Sequence, residues 1–238
     1  MNRRYDVLLC DADNTIFDFD QAEVNAFADA CVFAGVENTP EHFEMYSRIN
    51  KALWKLLEQG GITQSVLRVR RFEQFVEAMG RSDIDAQAMA LAFVESLGRQ
   101  SVPIEGAVEA VRRWSGVLPV IIVTNGIARV QHGRMEGSAV QPYISGLVIS
   151  EEAGRAKPDP EMLYIGMKMA GVTDASRALM LGDSLSSDIA AAANAGVDAC
   201  WYNPGGLANT KGLPVAYEIR CLDEVDAILR GGQGKGEL

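Results

Sequence analysis

Three short runs of apolar residues stand out along the chain, and none of them alternates with polar positions. They occupy residues 7–10, 120–123 and 179–181. Continuous apolar runs of this length are typical of strands that are buried on both faces of a parallel sheet. Two further runs in the second half of the chain have a similar character. Together the runs predict strands at residues 7–10, 120–123, 147–149, 178–181 and 199–202.

Between the first and second strands, apolar residues recur every three or four positions, which is the spacing of a helix face. Two apolar stripes have this spacing: Phe27, Ala30, Cys31 and Ala34, and then Val69, Phe72, Val76 and Met79. Gly60 and Gly61 separate two of the helices, and Thr63 is a candidate N-cap for the next one. We therefore predict about four helices that form a compact bundle over residues 18–100.

From residue 101 onward, helices and strands alternate along the chain. Helices are predicted near residues 106–114, 161–170 and 189–195, each of them before a predicted strand. Repeated units of this kind form a parallel sheet. The expected fold is α/β, with a Rossmann-like parallel sheet core (1–17 and 101–230), an inserted α-helical bundle as a cap (18–100), and a glycine-rich, disordered tail (231–238).

Composition and charge argue against several classes of function. Of the 238 residues 48% are hydrophobic, yet no stretch approaches the about 20 apolar residues of a membrane span. The first residues contain no apolar signal region, so we expect a cytoplasmic protein. The four cysteines are widely spaced and suggest neither a disulfide framework nor a zinc site. A net charge of -10 disfavours long nucleic acids as partners, whereas a small anionic substrate can still be held locally.

Polar residues directly follow three of the predicted strands. Asp11 and Asp13 come after the first strand, Thr124 ends the second, and Asp183 lies just beyond the fourth. In open α/β sheets, ligands bind at the carboxyl ends of the strands, so these side chains are expected to share one site. Lys157 lies in a loop before a predicted helix and is a candidate member of the same site.

The residue types at the first two strand ends favour phosphoryl transfer. An ionised Asp11 could attack phosphorus, and Asp13 could exchange protons with the leaving alcohol and with water. Thr124 ends its strand in a turn at Asn125 and Gly126, whose backbone amides could converge on a phosphate oxygen.

Positive charge near these groups would offset the repulsion between a carboxylate and a phosphate. Lys157 could provide part of that charge, and Mg²⁺ bound by Asp183 could provide the rest, with Asp188 supporting the metal or binding Lys157. Each block also has a structural alternative: an acidic turn with Thr15 capping a helix, a plain turn at residues 125–126, a solvated Lys157, and helix capping by Ser187 or Asp188.

The order and the residues of these sequence motifs resemble those of the haloacid dehalogenase superfamily, specifically its phosphatases with a helical cap inserted after the first strand. The resemblance extends from Asp6 to about Asn203. It implies that Asp11 is the nucleophile and Asp13 the acid and base, and that Thr124 and Lys157 bind the phosphate. It also implies Mg²⁺ held by three groups, with Asp188 in support: Asp11, the backbone carbonyl of Asp13, and Asp183. The dehalogenases of this superfamily lack the carboxylate of Asp13, which favours phosphate ester hydrolysis over halide displacement.

A finer resemblance, to bacterial pyrimidine 5′-nucleotidases, rests on the segments 182–189, 123–126, 53–54 and 61–63. It implies a nucleoside 5′-monophosphate as the small phosphorylated metabolite that this chain hydrolyses. The chain is expected to be either a monomer or a homodimer. The candidates for specificity are Phe17, Phe19, Trp54 and Arg71, for which core packing or helix solvation is the alternative. The competing functions are a phosphatase for a sugar phosphate or phosphoglycolate, a 2-haloacid dehalogenase, and a catalytically silent binding protein.

Overall fold

The structure, a computed structural model, describes residues 4–231. These residues form two compact units. The core unit contains residues 4–19, 102–128 and 135–231, and the helical unit contains residues 20–101 and 129–134. Segment 129–134, which the sequence analysis assigned to the core, therefore groups with the helices. The predicted tail lies outside the described residues, apart from Gly231.

The described part of the core unit contains a six-stranded parallel sheet with the order β3-β2-β1-β4-β5-β6. Its strands are β1 (Val7–Cys10), β2 (Val120–Thr124), β3 (Gly146–Ile149), β4 (Ala178–Gly182), β5 (Asp198–Tyr202) and β6 (Tyr217–Ile219). The α/β fold class and all five predicted strands are confirmed. Strand β6 was not predicted, because this edge strand has only three residues and its middle residue, Glu218, is exposed.

The helical unit is built on four helices, the number predicted: α1 (Phe19–Ala34), α2 (Pro40–Glu58), α3 (Gln64–Ala78) and α4 (Ala86–Arg99). Three of them are directly preceded by a residue whose side chain accepts one or two backbone N–H groups of the first turn. This satisfies donors that a helix otherwise leaves unpaired. These N-caps are Thr39, Thr63 and Asp85, so the predicted cap at Thr63 is confirmed. An aromatic cluster fills the interior: Phe27, Tyr46, Phe72, Phe75 and Phe93.

The remaining helices are α5 (Ala107–Ser115), α6 (Ala128–Glu136), α7 (Ser150–Ala153), α8 (Glu161–Met169), α9 (Ala190–Ala195) and α10 (Glu224–Leu229). Helices α6, α7 and α10 were not predicted. Helix α6 has no apolar stripe to reveal it, and α7 and α10 have only four and six residues. None of the helices among the described residues combines the length and the apolar character needed to cross a bilayer.

Apolar layers cover both faces of the sheet, which explains why its strands read as continuous apolar runs. Leu8 and Cys10 of β1 belong to one layer, together with residues of α5 and α10. Val7 and Leu9 belong to the other, together with residues of α8 and α9. At Gly166 of α8, an added Cβ would lie 2.8 Å from the Leu9 side chain, so glycine permits the close approach of helix and sheet. The central strands are therefore closely packed on both faces.

Candidate active site

The carboxyl ends of three adjacent strands carry the first group of predicted site residues. Asp11 follows β1, Thr124 ends β2, and Asp183 follows β4, with β1 paired between the other two strands. Carboxylate oxygens of Asp11, Asp183 and Asp188 lie within 4.8 Å of one another. The structure thus brings together residues that are more than 170 positions apart in the sequence.

Lys157 joins this cluster from the loop before α8, and its side chain is buried. The Nζ atom donates to Asp11 Oδ1 at 2.6 Å and to the carbonyl oxygen of Val123 at 2.5 Å. It also lies 2.7 Å from Asp188 Oδ1. An ammonium group has three N–H donors, so all of them have acceptors here. The alternative of a solvated surface lysine is therefore wrong.

The cluster places three carboxylates around one ammonium group. Burial raises the pKa of Asp11 well above its ordinary value, Lys157 opposes that rise, and Asp188 and Asp183 add to it. Burial, followed by the charge of Asp188, raises the pKa of Asp183 to about 7. Burial lowers the pKa of Lys157, but Asp11 and Asp188 raise it more, so its net shift is upward and the ammonium stays charged.

This set of side chains fits Mg²⁺, which prefers hard oxygen ligands and is commonly held by one or two carboxylates. Burial and, to a smaller extent, the neighbouring carboxylates raise the pKa values of Asp11 and Asp183, and an added divalent cation would oppose that rise. The cluster among the described residues consists of Asp11, Asp183 and Asp188. The carboxylate of Asp13 is not a member, and the resemblance assigned that residue to the metal through its backbone carbonyl instead.

Asp188 lies in a π-helical turn, Leu185–Ile189, and is held in place by the residue that caps this turn. The backbone N–H of Ser184 donates to Asp188 Oδ2 at 3.0 Å. Gly182 leaves space for this carboxylate, because an added Cβ would overlap the Asp188 side chain. The expected helix cap at Ser187 or Asp188 is wrong, since it is Ser184 whose side chain accepts from the N–H of Ser187, at 3.3 Å.

The turn after β2 uses its polar groups internally. The N–H of Gly126 donates to Thr124 Oγ1 at 2.9 Å. The side chain of Asn125 makes two hydrogen bonds to the backbone of Lys157, each of 2.8 Å. The chain bends at Gly126 without forming the predicted tight turn, and the bonds of Asn125 connect the end of β2 to the loop that carries Lys157.

The turn after β1 does not use Thr15 as a helix cap. Thr15 was considered as a helix cap, but its buried hydroxyl has no hydrogen-bond partner among the described residues. The N–H of Phe19, the first residue of α1, donates instead to Asn14 Oδ1 at 3.0 Å. Asn14 has a φ of 59°, a left-handed conformation that asparagine tolerates better than most residues. Asp13 lies in this turn and is half-buried.

The four candidates for specificity belong to different surroundings. Phe17 is buried in the apolar layer of the core unit, which agrees with the packing alternative. Arg71 is buried inside the helical unit, where it donates to Asn50 and to Tyr46. Phe19 and Trp54 are both half-buried, the first at the start of α1 and the second in α2.

Two further residues support the site and were missed by the sequence analysis. The indole Nε1 of Trp201 donates to the carbonyl oxygen of Asp183 at 2.8 Å. Glu151 Oε2 accepts from the N–H of Ala128 and so orders the segment after β2. Trp201 pairs in register with Gly182 of β4. Their positions near the ends of β5 and β3 were the signal available in the sequence, but neither residue type indicated the partner.

Residues 5–196 match the family model of the haloacid dehalogenase-like hydrolases. The chain is 32% identical over 226 residues to pyrimidine 5′-nucleotidase YjjG of Escherichia coli, covering 95% of this chain and 98% of the relative. It is 34% identical to pyrimidine 5′-nucleotidase PynA of Streptococcus pneumoniae, covering 92% and 96%. The magnesium-bound crystal structure of the HAD-hydrolase YfnB from Bacillus subtilis is similar with a TM-score of 0.88 at 30% identity, covering 95% of this chain and 99% of that one.

Proposed function

The chain belongs to the haloacid dehalogenase-like hydrolases, and we propose that it is a Mg²⁺-dependent phosphomonoesterase that hydrolyses pyrimidine nucleoside 5′-monophosphates through an aspartyl-phosphate on Asp11. One observation carries this proposal: the Asp11 carboxylate lies at a strand end in hydrogen-bond contact with the buried ammonium of Lys157, within a cluster of two further carboxylates. Phosphoryl transfer depends mainly on such positioning and charge compensation.

In the first step of the proposed reaction, a carboxylate oxygen of Asp11 attacks phosphorus. The bond between phosphorus and the ester oxygen breaks, and Asp13 donates a proton to that oxygen as the nucleoside leaves. Bound Mg²⁺ would supply positive charge to the phosphoryl oxygens and to the carboxylates of Asp11 and Asp183. Lys157 adds to this compensation through its ammonium group, which stays charged because its pKa is raised.

In the second step, Asp13 removes a proton from a water molecule that attacks phosphorus. The bond to Asp11 breaks, and inorganic phosphate and the original carboxylate are released. The same residue thus acts first as an acid and then as a base. The dehalogenase alternative needs no proton donor for the leaving halide, whereas the leaving alcohol of a phosphate ester does, and Asp13 favours the ester.

The preference for pyrimidine nucleotides is proposed from the similarity to YjjG and PynA, two pyrimidine 5′-nucleotidases. The chain matches both over nearly their whole length. The test is a panel of compounds assayed with Mg²⁺ and, in parallel, with excess chelator: UMP, CMP, dTMP, AMP, ribose 5-phosphate, phosphoglycolate, p-nitrophenyl phosphate and 2-chloropropionate. We expect release of phosphate that is fastest from the pyrimidine nucleotides and is lost with the chelator.

The other outcomes separate the parts of the proposal. A preference for ribose 5-phosphate or phosphoglycolate would contradict the substrate class but not the chemistry. Release of chloride without release of phosphate would contradict both. Turnover that persists in excess chelator would contradict the role of the metal.

A further inference from the structure

The carboxamide of Asn125 is bonded to both sides of one residue in a distant loop. Its Nδ2 donates to the carbonyl oxygen of Lys157, and its Oδ1 accepts from the N–H of Lys157, both at 2.8 Å. Lys157 lies outside any helix or strand, so its backbone has no secondary-structure ladder to satisfy it. A single side chain therefore satisfies both backbone groups of the lysine.

Two other asparagines of the core unit make the same pair of bonds, but to nearby residues. Asn203 holds both backbone groups of Leu207, and Asn209 holds those of Leu213. In both cases the partner is four positions along the chain, so the bonds shape a local loop. The partner of Asn125 is 32 positions away, so this pair of bonds joins two separate segments.

The segment that carries Asn125 is also tied to the candidate nucleophile. Asn125 directly follows β2, which pairs with β1, the strand that ends beside Asp11. The Nδ2 of Asn125 also lies 3.4 Å from Ser187 Oγ, next to Asp188 in sequence. Asn125 thus connects the Lys157 loop to the sheet edge that bears Asp11 and to the π-helical turn that bears Asp188.

A lysine side chain has four rotatable bonds, so its ammonium reaches three acceptors at 2.5 to 2.7 Å only if the backbone that carries it is fixed. We infer that Asn125 is a positioning residue, which fixes the backbone of Lys157 and thereby holds the ammonium between Asp11 and Asp188. This inference rests on the proposed function. A positioning role differs from a direct contact between Asn125 and the phosphate. In the positioning role, Asn125 affects turnover only through Lys157.

A double-mutant cycle separates these two roles. We expect Asn125→Ala to lower kcat for the best ester of the panel by about 10- to 100-fold, as is typical when a supporting partner of a catalytic group is removed. In a Lys157→Met background, the same change should alter kcat by less than about twofold. An equal loss in both backgrounds would show a contact independent of Lys157, and a wild-type kcat for Asn125→Ala would overturn the inference directly.

Asn203→Ala is the matched control, because it removes the same pair of bonds from another loop of the core unit. Each substitution also removes one bond to a further side chain, that of Glu218 for Asn203 and that of Ser187 for Asn125. We expect Asn203→Ala and Asn125→Ala to lower the melting temperature to a similar extent, but only Asn125→Ala to lower kcat strongly. A comparable loss of kcat in both variants would mean that the effect is general loosening of the fold, and the inference would be wrong.

A spectroscopic measurement tests the same point without turnover. In protein labelled with ¹⁵N-lysine, a buried ammonium with three acceptors should give a slowly exchanging ¹H–¹⁵N signal, assigned by its absence in Lys157→Met. We expect this signal in the wild type and in Asn203→Ala, and its loss or shift in Asn125→Ala. An unchanged signal would contradict the inference. If the wild type hydrolyses no ester, the proposed function fails, and this measurement still decides the role of Asn125.

Discussion

Within residues 4–231, each unit contains a buried cluster of charged residues, and the two clusters differ in how their charges are balanced. In the core unit, the ammonium of Lys157 faces the carboxylates of Asp11 and Asp188, with Asp183 close by. In the helical unit, one carboxylate, that of Glu23, accepts from Tyr46 and Asn50. The core cluster therefore has an excess of negative charge, which the helical cluster lacks.

The helical cluster balances its single carboxylate with the guanidinium of Arg71, which donates to the same Tyr46 and Asn50. The rings of Phe93 and Phe72 lie 4.4 and 5.4 Å from the Arg71 guanidinium carbon. Burial raises the pKa of Glu23, and Arg71 opposes that rise. One positive and one negative charge, joined by two neutral side chains, form a unit that is complete without a further ion.

The two cations also differ in how completely they are hydrogen-bonded, and here the core cluster is the more complete one. All three N–H donors of Lys157 have acceptors, whereas Nε and Nη2 of Arg71 have none among the described residues. The core cluster is thus fixed in geometry but unbalanced in charge, which suits a site that binds a cation and a phosphate. The helical cluster is balanced in charge but less completely bonded, which suits a role in the interior of the unit.

The strongest test of this contrast neutralises one buried carboxylate in each cluster without changing its size. We expect Asp11→Asn to lower kcat by on the order of 10⁴-fold or more, because a carboxamide cannot replace the nucleophile. Glu23→Gln should keep kcat for p-nitrophenyl phosphate within about tenfold of the wild type, because the hydrogen bonds of Glu23 are made to side chains of its own unit. The measurement is steady-state turnover, with circular dichroism as the control for folding. A nearly normal kcat in Asp11→Asn would show that Asp11 is not the nucleophile.

The second test concerns the stability of the helical unit. We expect Arg71→Met to destabilise this unit by about 3 to 5 kcal/mol, because the carboxylate of Glu23 would remain buried without its counter-charge. Adding Glu23→Gln should restore part of that stability, because the unpaired charge is then removed. Hydrogen exchange of peptides from α2 and α3 measures the local free energy of unfolding. If the double variant is no more stable than Arg71→Met, Glu23 and Arg71 do not balance each other.

The contrast also explains what could be predicted from the sequence. Asp11, Thr124 and Asp183 directly follow apolar runs, and the ends of parallel strands meet at one edge, so their proximity follows from the fold class alone. No comparable rule connects residues on different helices of a bundle. The polar cluster around Glu23 therefore could not be predicted, and Arg71 was singled out only as a cation that could lie near a polar group.

The supporting contacts of the site were beyond the sequence for a related reason. Asn125 was expected to act through a turn, but its carboxamide bonds to a backbone 32 residues away, and the side chain carries no mark of that partner. The bond from Trp201 to the carbonyl of Asp183 likewise depends on the register of β4 and β5. Residue type predicted which groups could take part in catalysis. The groups that hold them in place could be identified only from the three-dimensional structure.

The third test uses the charge excess of the core cluster. The carboxyl of Asp183 has an ordinary pKa of 3.8 and one of about 7 in the folded chain, so between these values the folded state holds the extra proton. The free energy of unfolding of the metal-free core should therefore fall as pH rises through this window, by about 2 to 3 kcal/mol between pH 5 and pH 8. Mg²⁺ should restore stability most strongly at pH 8, where the carboxylates are ionised.

Asp183→Asn is the control for this pH dependence. Hydrogen exchange of core peptides in excess chelator should show a weaker change between pH 5 and pH 8 in this variant, and little stabilisation by added Mg²⁺. The helical peptides should respond to Mg²⁺ in neither protein. An equal slope for the wild type and Asp183→Asn would mean that another group causes the pH dependence.

The smallest expected effect comes from a single methyl group in each unit. An added Cβ at Gly182 would overlap the Asp188 side chain, whereas one at Gly98 of the helical unit would meet its nearest atom at 3.6 Å, an ordinary contact. We expect Gly182→Ala to lower kcat about tenfold, equivalent to about 1.4 kcal/mol, because Asp188 must move and Lys157 then loses an acceptor. Gly98→Ala should leave kcat unchanged, and its place in a helix favours alanine. Equal kcat values for the two variants would mean that the position of Asp188 does not limit turnover, and the core cluster would then tolerate the same disturbance as the helical interior.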